Sequence, residues 1–270
     1  MRGDLHVHTS ISDGSLNTER TLKLAKKNGV THLGIVNHDT VKGLKEAIEL
    51  GNEMGIKIIP GIEISAYDYK NDRKVHILGY NFNLKAENIK MLCNPLLEER
   101  NKNSIWQYKR LLDEGYDIDF ELLKEKSKDS EAIYKQHLMS CLVENHYTDE
   151  IYSELYRRLF KNGGVCARDI EYINAFDAVD AIKKDGGLAV LAHPGQLNSY
   201  DIIPQLLAKG LDGIEIVHPS HTEKDIKRIK QIADFSGLIL TGGSDFHGAY
   251  SESKTDIGEL ESPEAYLQLF

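Results

Sequence analysis

The chain has 270 residues, of which 41% are hydrophobic and 28% are charged, and its formal net charge is −9. This length and composition are typical of a globular protein with one large domain, or with one domain that carries an insertion. The acidic balance disfavours a stable nucleic-acid complex, and no apolar run approaches the length of a membrane span. Without a signal-peptide pattern, and with three cysteines that show no paired spacing, we expect a cytoplasmic protein with reduced thiols.

Apolar and polar residues alternate in the segment Asp4-Leu5-His6-Val7-His8-Thr9, which predicts a β-strand. In a strand this spacing places His6 and His8 on the same face, where they can bind one cation together. Short strands and helices then alternate as far as residue 80, which predicts a parallel β/α architecture. The predicted elements are helices over residues 18–28 and 43–50 and strands over residues 31–36, 56–59 and 74–80.

The pattern changes between residues 85 and 169, where helical periodicity dominates and no strand is predicted. Helices are expected over residues 96–112, 119–126, 132–144 and 149–160. The β/α alternation then resumes, with helices over residues 174–184, 202–209 and 223–236 and strands over residues 188–192, 212–217 and 238–241. We therefore predict a discontinuous domain formed by residues 1–84 and 170–270, interrupted by a helical insertion of residues 85–169.

Histidine and carboxylate side chains recur at the predicted strand ends, almost all on the carboxyl side. In a β/α barrel these ends converge on one face, where active sites form. Imidazole and carboxylate ligands without thiolates suit Zn²⁺, Mn²⁺ or Fe²⁺ at hydrolytic centres. The candidates exceed what one ion needs, so two or three divalent ions are expected, with a carboxylate such as Glu63 bridging a pair. The candidate ligands are His6, His8, Asp13, His38, Glu63, His76, His193, Asp245 and His247.

These residues belong to six short motifs: Asp4-Leu5-His6-Val7-His8-Thr9, Asn37-His38-Asp39, Pro60-Gly61-Ile62-Glu63, Val75-His76-Ile77-Leu78-Gly79-Tyr80, Ala192-His193-Pro194 and Gly243-Ser244-Asp245-Phe246-His247. Together they resemble the motifs of the PHP (polymerase and histidinol phosphatase) superfamily. The resemblance implies an α/β fold, a distorted (β/α)7 TIM-like barrel, with the helical insertion as a cap. It also implies three ions, one held by His6, His8, Glu63 and Asp245, a second by Glu63, His76 and His193, and a third by Asp13, His38 and His247.

The helical insertion is similar to that of stand-alone PHP phosphatases that act on nucleoside 3',5'-bisphosphates and on related 5'-phosphorylated ends. That subgroup has Gly-Arg-Pro-His where this chain has Tyr134-Lys135-Gln136-His137, and an aromatic pair where this chain has Val217-His218. Lysine keeps the charge of arginine but lacks its bidentate geometry, so the exact substrate stays open. The candidate substrate-binding residues are Arg100, Lys135, His137 and His221. For the first three, an exposed helix face is an equal alternative.

The sequence thus predicts a metal-dependent phosphatase whose partner is a small phosphorylated substrate. The expected substrate is a phosphate monoester of a nucleotide, such as a nucleoside 3',5'-bisphosphate or a 5'-phosphorylated short oligonucleotide. In this hypothesis a hydroxide held between the ions attacks phosphorus, and Asp245, His193 and His247 take part in catalysis. A histidinol-phosphate phosphatase, an exonuclease and a non-enzymatic metal-binding module remain as alternatives.

Overall fold

The computed structural model describes residues 1–270, which form one mixed sheet surrounded by helices. The eight strands are β1 (Gly3–Val7), β2 (His32–Ile35), β3 (Lys57–Asp68), β4 (Arg73–Tyr80), β5 (Ile173–Asn174), β6 (Leu188–Leu191), β7 (Gly213–Val217) and β8 (Ile239–Gly242). The helices are α1 (Thr18–Lys27), α2 (Leu44–Met54), α3 (Glu87–Asp113), α4 (Phe120–Lys126), α5 (Lys135–Glu144), α6 (Glu154–Phe160), α7 (Ala175–Lys184), α8 (Pro194–Leu197), α9 (Ile203–Ala208), α10 (Glu223–Ser236) and α11 (Glu264–Leu267). No helix is both long enough and apolar enough to cross a membrane.

The predicted barrel is confirmed, because seven of the strands follow one another in the order β1-β2-β3-β4-β6-β7-β8 around a nearly closed sheet. The sheet closes where Val7, at the end of β1, forms a parallel bridge with Phe246 after β8. At this seam the N–H of His8 donates to the carbonyl of Phe246 at 2.9 Å. The seam therefore joins the two segments that carry the first and the last of the predicted metal ligands.

The parallel β/α pattern that the sequence predicts does not extend to β4, which runs antiparallel to both of its neighbours, β3 and β6. A tight turn joins β3 and β4 in place of a crossover helix. Because β4 is reversed, its first half lies beside the last half of β3, and His76 pairs with Ser65. The carbonyl of His76 also accepts the N–H of Ala192 at 3.0 Å, which places it next to His193. The reversal thus keeps His76 at the same end of the barrel as the other ligands.

Strand β3 is longer than predicted, so Glu63 lies within a strand and not at its end. The pair Pro60-Gly61 is typical of a strand terminus, because proline lacks an N–H and glycine weakens a strand. Here the chain passes through both residues, and a Cβ at Gly61 would lie 2.9 Å from the carbonyl oxygen of Gly79. Glycine therefore allows close approach of β4, and the strand continues with buried residues to Asp68. The two-residue strand β5, which pairs with β3, was not predicted.

Helices α3 to α6 all lie within residues 85–169, and this segment has a hydrophobic cluster of its own, from Leu111 to Cys166. Helix α3 begins at Glu87, nine residues earlier than the predicted start at 96, and continues through Pro95. Its first half packs into the main core through Ile89 and Cys93. The carboxylate of Asp185 accepts the N–H groups of Asn88 and Ile89, so the start of α3 is anchored to the barrel.

Candidate metal centre

The carboxylate of Glu63 lies at the centre of the candidate site and is 1% exposed. Five imidazole nitrogens, from four segments of the chain, surround it. Its Oε2 lies 3.1 Å from His8 Nε2, 3.2 Å from His6 Nε2 and 3.4 Å from His38 Nε2, and its Oε1 lies 2.7 Å from His76 Nδ1 and 2.8 Å from His193 Nε2. Each oxygen faces a different group of rings, which is the arrangement that a carboxylate bridging two cations requires.

Two further carboxylates complete the cluster. Asp245 Oδ1 lies 3.3 Å from His6 Nε2 and 3.4 Å from His8 Nε2. Asp13 Oδ1 lies 3.3 Å from His247 Nε2, and Asp13 Oδ2 lies 4.0 Å from His38 Nε2. All nine side chains that the sequence singled out are therefore gathered at one end of the barrel. Two groups whose donor atoms lie within 4.8 Å of one another match the implied sets closely: His6, His8, Glu63 and Asp245, and His8, Asp13, His38 and His247.

The donor atoms fit divalent cations. Buried polar atoms in proteins nearly always have a hydrogen-bond partner. In this cluster His8 Nε2, Asp13 Oδ1 and Asp245 Oδ1 are buried and make no hydrogen bond. Asp13 and Asp245 line a cavity of about 330 Å³, and no lysine or arginine lines it. A cation bound among these atoms would satisfy the unpartnered atoms and balance the carboxylates, and the set of imidazole and carboxylate donors suits Zn²⁺, Mn²⁺ or Fe²⁺.

The electrostatics of the cluster also favour the presence of a positive charge among its carboxylates, either on a histidine or on a bound cation. Burial by itself lowers the pKa of His6, but the carboxylates of Glu215, Asp245 and Glu63 raise it well above its usual value. Burial by itself raises the pKa of Glu63, but the surrounding histidines lower it well below its usual value. Burial lowers the pKa of His38 to about 4, so its ring is neutral near pH 7 and keeps a lone pair that a cation can use.

Unusual backbone conformations occur where the strands end at the site. His193 and Asp245, which follow β6 and β8, have φ angles of 22° and 50°. Such conformations cost of the order of 1–3 kcal/mol each in a non-glycine residue and persist only when their surroundings hold them. Between β8 and β1 there is no room for a side chain, because a Cβ at Gly243 would lie 2.5 Å from His6 N. This close approach allows the turn after β8 to direct Asp245 towards His6.

The sequence analysis missed two residues that hold the site together. Glu215 in β7 is fully buried, and its carboxylate lies 2.9 Å from His6 Nδ1 and 2.8 Å from the backbone nitrogen of His193. The amide oxygen of Asn37 accepts the N–H of Thr9 at 2.8 Å and thereby fixes the start of the loop that carries Asp13. A carboxylate flanked by Ile214 and Ile216 in a buried strand was the signal that could have revealed Glu215.

His218, which stands where the similar phosphatases have an aromatic residue, also contacts the site. Its ring is 5% exposed, and its Nε2 lies 3.2 Å from Asp245 Oδ2. It lines the same cavity as the ligands.

A second cavity of about 350 Å³ adjoins the first and shares Asp13, His38 and His76 with it. It lies between the barrel and the helices of the insertion, and its walls differ in chemistry from those of the first. Four basic and four tyrosine side chains line it: Lys74, Arg100, Lys135, Lys161, Tyr134, Tyr152, Tyr156 and Tyr172. Two of the four predicted substrate-binding residues, Arg100 and Lys135, are thus found here.

Arg100 and Lys135 differ in how they are held. Arg100 donates from Nη2 to Asp39 Oδ2 at 2.6 Å and to Ser65 Oγ at 3.1 Å, so it joins the insertion to the end of β2. Lys135 makes no hydrogen bond, and the nearest carboxylate oxygen, Asp169 Oδ1, is 3.9 Å from its Nζ. Burial lowers the pKa of Lys135 to about 8. Of the two, Lys135 has the freer cationic group.

His137 and His221, the other two predicted substrate-binding residues, make hydrogen bonds to the backbone. His137 is 1% exposed, and its Nδ1 accepts the N–H of Tyr134 at 3.1 Å, so it caps the start of α5. His221 donates from Nδ1 to the carbonyl of Ile216 at 2.9 Å, and its Nε2 accepts the N–H of Gly195 at 3.2 Å. Neither residue lines either cavity, because their rings are used to hold the backbone.

Comparison with known proteins agrees with this chemistry. The sequence profile of the PHP domain matches residues 4–184. The chain is 50% identical over 247 residues to phosphoribosyl 1,2-cyclic phosphate 1,2-diphosphodiesterase of Eggerthella lenta, covering 92% of this chain and 94% of that protein. It is 28% identical over 263 residues to 3',5'-nucleoside bisphosphate phosphatase of Chromobacterium violaceum, covering 96% and 91% of the two chains.

A crystal structure from Bifidobacterium adolescentis, described as a candidate metal-dependent phosphoesterase, has a TM-score of 0.90 against this chain at 26% identity. The match covers 99% of this chain and 94% of the other. The insertion is therefore included in the shared fold.

Proposed function

The chain belongs to the PHP domain family and is a phosphoesterase, and we propose that its substrate is a small ribose phosphate that carries a second phosphate group. The names of both relatives describe such a compound, a phosphoribosyl group with a 1,2-cyclic phosphate and a nucleoside with 3' and 5' phosphates. The relative with 50% identity is the stronger guide. Our first candidate is accordingly phosphoribosyl 1,2-cyclic phosphate, and the second is a nucleoside 3',5'-bisphosphate, which the sequence analysis favoured.

The observation that carries this proposal is the pair of adjoining cavities. The first is lined by imidazoles and carboxylates without a basic side chain, and the second by four basic side chains. A substrate with two phosphate groups matches this arrangement, because one group is cleaved and the other is only bound. We propose that the ester lies in the first cavity and the second phosphate in the second.

For the metal ions we propose the three ligand sets that the family resemblance implies, with Glu63 bridging the first two. When bound, divalent cations would supply charge stabilisation at the phosphoryl oxygens and activation of water. His193, Asp245 and His247 line the first cavity, within reach of an ester bound there, which supports their predicted part in catalysis. The protein needs no nucleophilic side chain in this scheme, and no cysteine lines the cavity.

Lys135 is the best candidate for binding the second phosphate. Lys74 already donates to Asp169 at 2.6 Å and to the hydroxyl of Tyr172 at 3.0 Å. Arg100 is committed to Asp39 through one nitrogen, although its Nε has no partner. The ammonium group of Lys135 makes no hydrogen bond to another side chain, and the side chain is 24% exposed in the cavity wall. A lysine ammonium can donate three hydrogen bonds to phosphate oxygens.

The test is a comparison of substrates with purified protein loaded with Mn²⁺, Zn²⁺ or Fe²⁺. We expect hydrolysis of phosphoribosyl 1,2-cyclic phosphate, which is monitored by ³¹P NMR. One added water breaks one P–O bond and opens the ring to a monoester, and a second water releases inorganic phosphate. Adenosine 3',5'-bisphosphate, histidinol phosphate and a 5'-phosphorylated oligonucleotide are run in parallel.

The proposal predicts the highest kcat/KM for one of the two ribose compounds. Higher kcat/KM for the oligonucleotide would favour the exonuclease alternative, and higher kcat/KM for histidinol phosphate would favour that phosphatase. Failure to hydrolyse any of these esters with any of the three metals would contradict a catalytic role.

A further inference from the structure

Strand β7 supplies none of the proposed metal ligands, although it lies between β6 and β8, which both end in ligands. Two polar side chains, one on β7 and one just after it, nevertheless contact ligands that lie on or just after β1, β6 and β8. Glu215 lies within the strand and is completely buried, and His218 follows its last residue. Their hydrogen bonds show what each contributes.

The carboxylate of Glu215 holds two ligands at once. Its Oε1 lies 2.9 Å from His6 Nδ1, and its Oε2 accepts the backbone N–H of His193 at 2.8 Å. An ionised carboxylate can only accept hydrogen bonds, so His6 carries its proton on Nδ1. Nε2 faces the carboxylates of Glu63 and Asp245, and a cation bound among them would replace any proton on Nε2 and use its lone pair. In metal sites, a second hydrogen bond of this kind sets the tautomer and the orientation of a ligating histidine.

His218 contacts Oδ2 of Asp245, whereas His6 faces Oδ1 of the same carboxylate. Its Nδ1 accepts the backbone N–H of Ser220 at 3.1 Å, and an amide nitrogen can only donate. The proton of neutral His218 is therefore on Nε2, which donates to Asp245 Oδ2 at 3.2 Å. This ring is accordingly a hydrogen-bond donor and not a further ligand, although it lies in a group with His193 and Asp245. Asp245 Oδ1, which has no hydrogen bond, is left for the cation.

We propose that Glu215 and His218 are positioning residues that fix His6, the backbone of His193 and the carboxylate of Asp245 for metal binding without binding metal themselves. The inference rests on the proposed metal ligands. It explains how residues with strained backbones, such as Asp245 and His193, keep their conformations at the ends of their strands.

The test measures metal affinity by equilibrium dialysis against Mn²⁺ with elemental analysis, and the visible spectrum of the Co²⁺-loaded protein. Glu215→Gln has nearly the same shape but cannot accept from both His6 and His193. We expect the affinity for one ion to fall about 10- to 100-fold, with an altered Co²⁺ spectrum. His218→Phe keeps a ring and should weaken binding similarly, whereas His218→Gln, which can still donate to Asp245, should restore most of the affinity.

The matched control is Asp185→Asn, a carboxylate that accepts backbone N–H groups of α3 and contacts no ligand. It should change the melting temperature of the metal-free protein without changing metal affinity. In a His6→Ala background, the Glu215→Gln change should lose the part of its effect that acts through His6 and keep the part that acts through His193.

Wild-type affinity in both Glu215→Gln and His218→Phe would overturn the inference, as would a loss no larger than that in Asp185→Asn. Wild-type protein that binds neither Mn²⁺ nor Co²⁺ would instead overturn the proposed ligand assignment itself.

Discussion

Replacing Lys135 with methionine should remove the preference for a substrate with a second phosphate. The change keeps most of the side-chain length and deletes a cation that makes no hydrogen bond within the protein and lies 3.9 Å from the nearest carboxylate oxygen. A hydrogen bond to a charged group contributes about 1.5–3 kcal/mol. Because Lys135 is 24% exposed, we take the lower half of that range, which corresponds to a loss of roughly 10- to 50-fold in kcat/KM.

The assay compares phosphoribosyl 1,2-cyclic phosphate with ribose 1,2-cyclic phosphate, which lacks the second phosphate. For Lys135→Met we expect the loss on the first substrate alone, mainly as a higher KM, since the cation is remote from the ester that is cleaved. The control is Lys124→Met, which removes an exposed lysine of the insertion that pairs with Glu121. It should leave kcat/KM unchanged on both compounds.

The pH dependence gives an independent check of the same cation. Burial lowers the pKa of Lys135 to about 8, so its charge is present below that pH and is lost as the pH rises through it. The ratio of kcat/KM for the two substrates should therefore fall across this interval in the wild type, and the titration of the metal cluster cancels in the ratio. In Lys135→Met the ratio should be low and independent of pH. Equal losses on both substrates, or a wild-type ratio that does not change with pH, would refute the reasoning.

Three further predictions concern the cluster and its support. Glu63→Gln should lower kcat by at least about 100-fold and reduce the number of bound ions, and elemental analysis that finds the wild-type number would contradict its bridging role. Arg100→Met leaves Asp39, which is 0% exposed, without its ion-pair partner and should lower the free energy of unfolding by about 3–5 kcal/mol in urea titrations. The double change Asp39→Asn with Arg100→Met should cost less than the sum of the two single changes, and strict additivity would count against the pair. Removing metal with a chelator should abolish hydrolysis and lower the melting temperature, and Mn²⁺ added at about 100 times its Kd should restore about 2.7 kcal/mol of stability. An unchanged melting temperature would indicate that the native protein binds no metal.

Local patterns in the sequence were sufficient to predict most of the alternating elements and the run of helices between residues 85 and 169. The spacing of His6 and His8 follows from strand periodicity alone, and α10 begins and ends where its apolar periodicity does. The recurrence of histidines and carboxylates after strands was sufficient to identify nine candidate ligands, and the structure brings these side chains together at one end of the barrel. These features can be predicted from the sequence because each depends on residues that are close to one another in the chain.

The tertiary structure decided what depends on distant partners. The direction of β4 follows from its pairing with β3 and β6, and no periodicity reports strand direction. His137 and His221 resemble site residues in the sequence, yet each ring is occupied by backbone hydrogen bonds. Glu215 looked like an ordinary strand residue because its partner, His6, lies 209 positions away. The sequence by itself determined which metal-binding side chains follow the strands and so lie at one end of the barrel. Their roles were decided by hydrogen bonds between residues that are distant in the chain, and only tertiary packing brings those residues together.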